Sequence, residues 1–438
     1  MKFTKFGKAL LMSALSATVA LSVTSCDESY AVGFLYVTGT VTAQSGGNGI
    51  ITGFTIDHNT GKLNPVDGLP ISSGGANPVR AALVTGSRFL YILNRGANSS
   101  GGSDCTTADP CQNSNITEFA VGGNGILTPQ ETFYTQGINP FRLVGDSSGN
   151  FLYVLDHDSP SSAACALALG GSTTTCGDIT AFQVNQTTGR LSLIVNAQVT
   201  SASGAALPYF PVPANPIDFS LSSGFVLALS GTPTTGDVVF PYTYSTSTGQ
   251  LTINQNTAQV LGIKQGTAIV NGTGFVYVLD NEATLVPGSG ASSQILPYSI
   301  GTNGALQSQT GGAVPDDPTL SNPIYMLSES KGKVLYVANQ GSNVQGVNAQ
   351  SGLAGYVIDP TTHQLSFIPG EPYGTGAGPQ CLVEDPSDQY VYSADFDDSG
   401  VTFRVVDPND GALNNPRVTS TYALQGPATW CLVDGRTS

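Results

Sequence analysis

The sequence predicts an all-β fold, a seven-bladed β-propeller built from four-stranded antiparallel blades. Three observations support this: the composition, a turn phrase that occurs seven times, and a set of short apolar strands around each copy. The chain of 438 residues contains 53 glycines and 26 prolines, and only 10% of its residues are charged. This composition is typical of a globular chain that is rich in strands and turns.

The turn phrase is a short polar segment that ends in leucine. Its first copy is IDHNTGKL, residues 56–63, and the other six end at Leu127, Leu191, Leu251, Leu306, Leu365 and Leu413. In most copies a glycine stands two positions before the leucine, where it supplies the positive φ that tight turns usually require. His363 takes this place in the sixth copy. We therefore expect that turn to be distorted or of another type.

Each turn phrase belongs to a unit of four strands. A first strand opens with proline, an aromatic-rich second strand follows, a third strand precedes the phrase, and the leucine opens the fourth. The Pro-led segments are 76–84, 138–146, 214–222, 321–329 and 378–386, and the aromatic-rich segments are 89–93, 151–155, 225–229, 275–279, 334–338 and 390–394. Four short strands in a repeat of roughly 50–60 residues indicate a propeller blade.

The two ends of the chain complete one blade. Residues 34–40 have the pattern of a second strand, and residues 426–435 have the pattern of a Pro-led first strand. We expect both to lie in one sheet, which closes the ring and pairs edges that would otherwise stay open. The predicted propeller covers residues 33–438.

Residues 1–25 are predicted to form the signal peptide of a bacterial lipoprotein. Basic residues precede an apolar run, residues 9–21, that is too short for a membrane span. Small residues then lead into Cys26, as in a lipobox. We expect Cys26 to be acylated and residues 26–32 to form a short tether; an ordinary cleavage site is the alternative. The lipid would hold the exported protein at the cell envelope, in the periplasm or on the outer surface.

The cysteines predict a disulfide-bonded protein. Acylation of one of the seven cysteines leaves six, enough for three disulfides in an oxidising compartment. Many connectivities are open on sequence alone, and the pairs that we favour are Cys105–Cys111, Cys165–Cys176 and Cys381–Cys431. Cys381 and Cys431 both begin the phrase CLV followed by an acidic residue. This suggests equivalent positions in two repeats.

The charge balance argues against nucleic acid as a partner. The chain has 30 acidic and 15 basic residues, a net charge of −15, and therefore repels polyanions. The predicted partners are a membrane, through the lipid anchor, and either a small anionic ligand or a protein or carbohydrate. We expect a monomer. Zinc-type Cys/His spacing and phosphate-cradling loops are absent from the sequence, so no metal or cofactor is predicted.

The long loops are predicted to lie on one face of the propeller. Links from first to second strands and from third to fourth strands are short, and because strands alternate in direction they share one face, the short-link face. The other links share the opposite face, the long-loop face, and the longest are 95–114, 157–177, 195–213, 280–293 and 340–352. Long loops on a rigid scaffold commonly carry function. We therefore expect the binding surface on the long-loop face.

The Pro-led strand, the LYV strand and the turn phrase together resemble the seven-bladed propeller lactonase family, whose named activity is 6-phosphogluconolactonase. The resemblance covers about residues 33–435. The family motif G-P-R-H matches residues 378–381, where Gln380 and Cys381 replace the Arg and His, and Asp395 stands in place of a glutamate. The resemblance implies a degenerate lactone hydrolase that acts at the channel mouth. The alternative is a non-catalytic propeller whose long-loop face binds a protein or carbohydrate.

The second residue after each strand-opening proline is expected to lie near the channel mouth. In the units that align, these residues are Arg80, Arg142, Asp218, Tyr325 and Cys381. Two arginines on neighbouring blades suit a carboxylate or phosphate, or each satisfies nearby carbonyls or an aspartate. The predicted ligand-binding residues are Arg80, Arg142, Asp218 and Tyr325.

A catalytic interpretation draws on the end of the second strand of the third unit. Asp156 or His157 would activate water, and Arg142 would stabilise an oxyanion. The alternative is that Asp156 and His157 simply begin a solvated loop. Asp395, Asp397 and Asp398 offer oxygen ligands but lack the calcium-loop pattern.

Overall fold

The computed structural model describes residues 30–41, 47–84, 88–170, 174–201, 203–232, 236–253, 258–272, 274–286, 292–309, 311–342 and 350–435. Within these ranges the chain forms seven antiparallel sheets, which confirms the predicted seven-bladed propeller. In the same ranges, no helix has the length and apolar character needed to cross a membrane. Cys26 and the predicted signal peptide lie outside the described residues.

The first four blades follow one another along the chain. The strands are β1 (Ala31–Gly39), β2 (Asn48–Asp57), β3 (Leu63–Pro65) and β4 (Ile71–Ala76) of blade 1; β5 (Pro78–Leu83), β6 (Phe89–Asn94), β7 (Asn115–Val121) and β8 (Leu127–Phe133) of blade 2; β9 (Ile138–Gly145), β10 (Phe151–Asp158), β11 (Gly177–Val184), β12 (Leu191–Leu193) and β13 (Phe210–Val212) of blade 3; and β14 (Pro216–Ser222), β15 (Phe225–Ser230), β16 (Val238–Tyr244), β17 (Leu251–Ile253) and β18 (Gln259–Val260) of blade 4. A short helix, α1 (Ser162–Leu169), lies in the link between β10 and β11.

The remaining elements complete the ring. The strands are β19 (Gly266–Asn271), β20 (Phe275–Asp280), β21 (Gln294–Ile300), β22 (Leu306–Ser308) and β23 (Val314–Pro315) of blade 5; β24 (Pro323–Ser328), β25 (Val334–Asn339), β26 (Gly352–Ile358) and β27 (Leu365–Phe367) of blade 6; β28 (Pro379–Glu384), β29 (Tyr390–Asp395), β30 (Gly400–Val406), β31 (Leu413–Asn414) and β32 (Thr421–Ala423) of blade 7; and β33 (Ala428–Asp434), which returns to blade 1. A second short helix, α2 (Glu282–Leu285), follows β20.

Blade 1 is built from both ends of the chain, as predicted. Its strand order is β3-β2-β1-β33, so the last strand of the chain is the innermost strand of the first blade. β33 pairs with β1 from Phe34 opposite Asp434 to Gly39 opposite Ala428. The first strands of neighbouring blades pack against one another all round the channel, from β33 through β5, β9, β14, β19, β24 and β28 back to β33. The closing blade therefore has no unpaired inner edge.

The predicted pattern of four strands per blade is confirmed, and the structure differs from it in two details. The first strand of blade 5 begins at Gly266 rather than at a proline, so the sequence pattern did not reveal it. Five blades also carry a short fifth strand on the outer edge of the third strand. In blade 1, for example, β2 pairs with β3 through Phe54–Ile56 and with β4 nearer its beginning. In these five blades the outer edge is thus covered by two short segments.

The turn phrase forms a joint between consecutive blades, which explains its repetition. Tyr36 of blade 1 donates a hydrogen bond from its hydroxyl to the carbonyl oxygen of Gly125 in blade 2, at 2.8 Å. Both groups are buried, so the bond satisfies a polar pair that water cannot reach. The same bond joins Tyr91 to Gly189, Tyr153 to Gly249, Tyr336 to Gly411 and Tyr392 to Gly61. Leu227 occupies the tyrosine position of blade 4.

The glycine of the turn phrase is required for a second reason besides its positive φ. Gly249 has φ 69°. A Cβ atom added there would lie 2.5 Å from the Phe151 ring of the preceding blade. Gly125 meets Phe34 at 2.4 Å and Gly189 meets Phe89 at 2.5 Å in the same way. In these blades the first aromatic residue of the second strand therefore packs directly on the next turn phrase, and in blade 6 Val334 takes the same place against Gly411.

The turn at His363 is not distorted, so that expectation was wrong. His363 has φ 58°. Its backbone N–H donates to the carbonyl of Asp359 at 2.8 Å, just as Gly61 donates to Asp57 at 2.9 Å. The Asp359 carboxylate accepts two further backbone N–H groups and holds the turn in shape. The imidazole stacks on Phe275, with 3.1 Å between the ring centroids, where most other blades place an aromatic residue against glycine.

All three predicted disulfides are present. The Cα separations are 5.2 Å for Cys105–Cys111, 5.7 Å for Cys165–Cys176 and 6.0 Å for Cys381–Cys431. The third bond links β28 to β33 and thus ties the closing strand to blade 7.

The two CLV cysteines do not occupy equivalent positions, contrary to the expectation from their shared phrase. Cys381 lies opposite Ala394, and Trp430, opposite Thr38, holds the matching position in blade 1. Cys431 is one residue further along. Successive side chains point to opposite faces of a sheet, so this offset of one residue directs both sulfurs into the space between blades 7 and 1.

Replacement of Gly249 by alanine should destabilise the fold more than replacement of Gly224. Gly224 has φ 83° but no atom within 4 Å of an added Cβ, so Gly224→Ala tests backbone strain alone. We expect strain of about 1–2 kcal/mol for both variants and about 1–3 kcal/mol more for Gly249→Ala, from its contact with Phe151. Equilibrium unfolding in urea measures both. Equal losses would contradict the packing role assigned to the turn phrase.

Candidate functional site

A left-handed asparagine and a bulge start most first strands, and the residue that follows the bulge lies at the same level around the channel in every blade. The residue before the proline has positive φ, between 51° and 59°, at Asn77, Asn139, Asn215 and Asn322. Asparagine tolerates this conformation better than most residues. The pairing register then shifts within the next two residues, for example between Pro78 and Arg80. Such bulges re-aim side chains.

The residues after the bulge form an inner ring at one level of the channel. Its members are Arg80, Arg142, Asp218, Ala268, Tyr325, Cys381 and Trp430. The sequence predicted five of them. Ala268 was missed because blade 5 lacks the proline, and Trp430 because it stands three residues after Pro427 instead of two. A Pro-led pattern that tolerated one extra residue would have found Trp430.

A cavity of about 550 Å³ extends from the inner ring along the first strands. The four residues predicted to bind ligand, Arg80, Arg142, Asp218 and Tyr325, all line it. Its wall continues to the strand turns at 146–147 and 223–224 and to Thr246. These turns lie on the short-link face. The cavity therefore opens away from the long loops, on the face opposite to the one that the loop lengths favoured.

The two arginines of the ring differ in their partners. Arg142 Nε donates to Asp218 Oδ1 at 3.1 Å, and Asp218 Oδ2 accepts the backbone N–H of Ile269 at 3.0 Å. Arg80 lies over Trp430, with Cζ 3.9 Å from the ring centroid, and donates to the carbonyl oxygen of Val79 at 2.7 Å. Among the described residues no carboxylate lies within 4 Å of Arg80. The ring therefore carries one uncompensated positive charge.

Burial affects the titration of this region. Desolvation and the neighbouring Arg142 lower the pKa of Arg80 well below its usual value, and the more distant Asp218 opposes this change. Burial also raises the pKa of Tyr325 to about 12, so its hydroxyl stays protonated and can donate a hydrogen bond. Tyr325 packs edge-on against Trp430, with 5.1 Å between the centroids. The cavity floor thus presents a desolvated guanidinium, a phenol and an indole.

Asp156 and His157 do not share this cavity. Asp156 is fully buried at the end of β10 and accepts a hydrogen bond from Thr180 Oγ1 at 3.0 Å. His157 is partly exposed, with Nδ1 3.1 Å from Asp158 Oδ2. Within the described chain, the lining that contains Arg142 includes neither residue. The structure thus does not assemble the predicted catalytic combination of Asp156, His157 and Arg142 in one pocket.

Asp156 forms a buried carboxyl pair with Asp178, which lies directly opposite in β11. Both side chains are fully buried, and among the described residues no N–H or hydroxyl group donates to the oxygens of Asp178. Desolvation raises the pKa of Asp156 to about 7. Desolvation and the neighbouring Asp156 raise the pKa of Asp178 well above its ordinary value. Sequence spacing does not reveal this pair because the two residues are 22 positions apart.

The positions that match the family motif have structural partners. Cys381 is bonded to Cys431. Asp395 accepts hydrogen bonds from Thr402 Oγ1 at 2.7 Å and from the Gly376 backbone N–H at 3.1 Å. Asp398 accepts the Ala377 N–H at 2.6 Å. These contacts hold the link before β28, and in the described part of the chain no group of three or more His, Cys, Asp or Glu side chains is placed to bind a metal.

Replacement of Asp178 by asparagine should change the pH dependence of stability. A carboxyl whose pKa is raised in the folded state keeps a proton there that the unfolded chain releases at about pH 4. The free energy of unfolding therefore falls as the pH rises through about 7. We expect the parent to lose about 1–3 kcal/mol between pH 5 and pH 8 through this pair, and Asp178→Asn to lose less. Urea unfolding at both pH values measures this. The same slope in Asp178→Asn and in the exposed control Asp67→Asn would contradict it.

Comparisons with known proteins agree with this architecture. The family model described as lactonase, 7-bladed beta-propeller matches residues 47–206 and 286–430. No curated protein matches the sequence. A putative 6-phosphogluconolactonase from Bacteroides uniformis superposes with a TM-score of 0.64 at 14% identity, over 92% of this chain and 100% of its own. A periplasmic gluconolactonase from Pseudomonas aeruginosa gives 0.62 at 16% identity, over 91% and 98%.

At these identities the solved structures establish a common fold only. The family match is independent of them and covers most of the described blades. It agrees with the turn phrases, the LYV strands and the closure through both chain ends. The chain belongs to the seven-bladed β-propeller lactonase family.

Proposed function

We propose that this protein is an exported, envelope-anchored propeller that binds a small carboxylate or phosphate compound in its central cavity. Arg80 supports this proposal most directly. It is the ring cation that lacks a carboxylate partner among the described residues. Its guanidinium also lies within a lining that includes polar side chains. Arg80 is half-buried, and a charge that is partly withdrawn from water without a counter-charge is costly, so a bound oxyanion would reduce that cost.

The rest of the cavity suits a small polar compound. Arg142 also lines the cavity, but its charge is balanced by Asp218. We therefore expect Arg142 to orient a bound compound through hydrogen bonds and to add little net positive charge. Tyr325 and Trp430 supply apolar surface together with a hydroxyl and an indole N–H. A volume of about 550 Å³ accommodates a compound of sugar-acid size. The preferred ligand is therefore one oxyanion on a small polar body.

Binding without hydrolysis fits the cavity better than catalysis. A hydrolase needs a free base close to the bound compound. Both oxygens of Asp218 already accept hydrogen bonds, from Arg142 and Ile269. Asp146, the other carboxylate of the lining, accepts from Ser148, Phe151 and Tyr244. The positions of the family motif are likewise occupied by a disulfide and a structural aspartate.

A degenerate lactone hydrolase is the second candidate, and membership of the family favours it. In this interpretation the cavity binds a lactone, and Asp218 leaves Arg142 to activate water. Purified protein and Asp218→Asn, assayed with a sugar lactone, distinguish the two functions. Turnover by the parent that Asp218→Asn abolishes would replace the binding proposal with this one. The long-loop face, held by Cys105–Cys111 and Cys165–Cys176, stays the proposed surface for a protein or carbohydrate partner.

Anion protection against heating should depend on Arg80. We expect acetate or phosphate, at constant ionic strength, to raise the Tm of the parent because the oxyanion binds only the folded state. Arg80→Gln should lose most of this increase. Arg190→Gln is the matched control, since Arg190 is an exposed arginine paired with Glu131 away from the cavity. An unchanged Tm increase in Arg80→Gln, or no increase in the parent, would remove the proposal.

The proposed anchor predicts a specific N-terminal mass. If Cys26 is acylated, the mature N-terminal peptide begins at Cys26 and carries the mass of the acyl groups. Mass spectrometry of the protein purified from membranes measures this. Cys26→Ser should remain unprocessed and release no lipid. An unmodified Cys26, or cleavage at another position, would reject the anchor without affecting the cavity proposal.

A further inference from the structure

A second cavity, which we call the seam cavity, lies between blades 7 and 1 at the short-link face. Its volume is about 530 Å³. Its described lining includes Asn59 and Thr60 of the first turn phrase, Tyr390 at the start of β29, and residues 414–418 at the outer edge of blade 7. None of these residues lines the central cavity. The two cavities therefore belong to different parts of the propeller.

The residue before the leucine of the turn phrase bridges the corresponding seam in two other blades. In blade 4, Gln250 Nε2 donates to the carbonyl oxygen of Val195 in blade 3 at 2.5 Å. In blade 3, Arg190 pairs with Glu131 of blade 2 at 3.2 Å. Lys62 holds this position in blade 1, and no carboxylate of the described chain lies within 4 Å of it. The seam between blades 7 and 1 therefore lacks the bridge that these two blades form.

The seam cavity is rich in hydrogen-bond donors, and its described lining contains no acidic residue. Arg417 is exposed, and none of the described carboxylates lies within 4 Å of it. Asn415 Oδ1 accepts a hydrogen bond from Arg404, which leaves the amide N–H groups of Asn415 to donate. Asn59 and Asn414 add two exposed amides. An arginine among amides, in a lining without a carboxylate, suits an oxyanion.

The seam cavity also lies beside the first described residue of the chain. The Tyr30 ring stacks on His58, with 4.6 Å between the centroids. His58 directly precedes Asn59, and its carbonyl oxygen accepts a hydrogen bond from the Tyr390 hydroxyl at 3.3 Å. Cys26 stands four residues before Tyr30, which is at most about 14 Å along a fully extended chain. A membrane that held an acylated Cys26 would therefore come close to this cavity.

We propose that the seam cavity binds a phosphate group through Arg417 and the amides of its lining, Asn59, Asn414 and Asn415. The planar fork of an arginine holds phosphate oxygens in a fixed geometry. Two kinds of compound carry such a group. A lipid headgroup would present it at a membrane that holds Cys26, and this source rests on the anchor proposed above. A soluble phosphate ester would present it without the anchor, and the site itself depends on neither the anchor nor the central cavity.

Titration calorimetry on the full mature chain in neutral detergent tests the site. Arg80→Gln is the background, because it removes the proposed central site. We expect this variant to bind glycerol phosphate or monomeric dihexanoylphosphatidylglycerol at one site. Adding Arg417→Gln should weaken the binding at least about tenfold, since a charge-assisted hydrogen bond is lost. Adding Asn414→Asp places a carboxylate in the lining at an exposed position and should weaken it as well. Adding Arg190→Gln removes an arginine at another seam and should leave the binding unchanged.

The outcomes separate this inference from the functions proposed above. Binding that survives both Arg417→Gln and Asn414→Asp would overturn the inference, as would the absence of binding of either compound to Arg80→Gln. Neither result touches the central cavity, which is tested through Arg80 itself, or the anchor, which is tested by mass. Tighter binding of the lipid than of glycerol phosphate would support the site and identify a headgroup, whereas equal affinities would support it and identify a soluble ester. Urea unfolding confirms that each variant is folded.

Discussion

The hydrogen bond from a second-strand tyrosine to the carbonyl of the next turn phrase organises the whole propeller. The bond fixes the orientation of the turn, because the carbonyl must point towards the preceding blade. It also fixes the position of the second strand, because the tyrosine hydroxyl must reach that carbonyl. In most blades an aromatic residue two positions before the tyrosine completes the contact by packing on the glycine. A single buried bond of this kind contributes about 0.5–1.5 kcal/mol. Its repetition around the ring also sets how neighbouring sheets lie against each other, and the break in blade 4 at Leu227 shows that the ring tolerates one missing link.

Because the blades are joined through their second strands and turn phrases, the inner ring is free to vary. Equivalent positions hold arginine, aspartate, alanine, tyrosine, cysteine and tryptophan without any change in register. One position is even occupied by a disulfide. This separation between scaffold and channel explains how one fold hosts different chemistries. It also explains why family membership does not bring the family's motif residues with it here.

The periodic features were predictable from sequence, whereas features that depend on two blades were not. Strands, turn phrases, closure and the Arg80 and Arg142 positions follow from repeated spacing. The pairing of Arg142 with Asp218 does not follow from repeated spacing, because the two residues belong to different blades. This pairing leaves Arg80 as the arginine without a carboxylate partner among the described residues. The buried pair of Asp156 and Asp178 depends on strand register across a long loop. The expectation of a distorted turn at His363 was wrong because Asp359, which belongs to the same turn phrase, holds the turn in its usual shape.

Closure through both chain ends also orients the molecule. β1 begins at the short-link face, where the carbonyl of Tyr30 accepts the backbone N–H of His58, and β33 ends at the same face, beside Pro386. The cavity opens there as well. A fully extended chain spans only about 3.3–3.6 Å per residue, so a group attached a few residues before Tyr30 would lie close to the cavity opening. A surface that held the protein by this end would face the cavity opening. Small compounds would then enter the cavity from the gap between the protein and that surface. The disulfide-braced loops would point away from the surface and would be the first part of the molecule that other macromolecules meet.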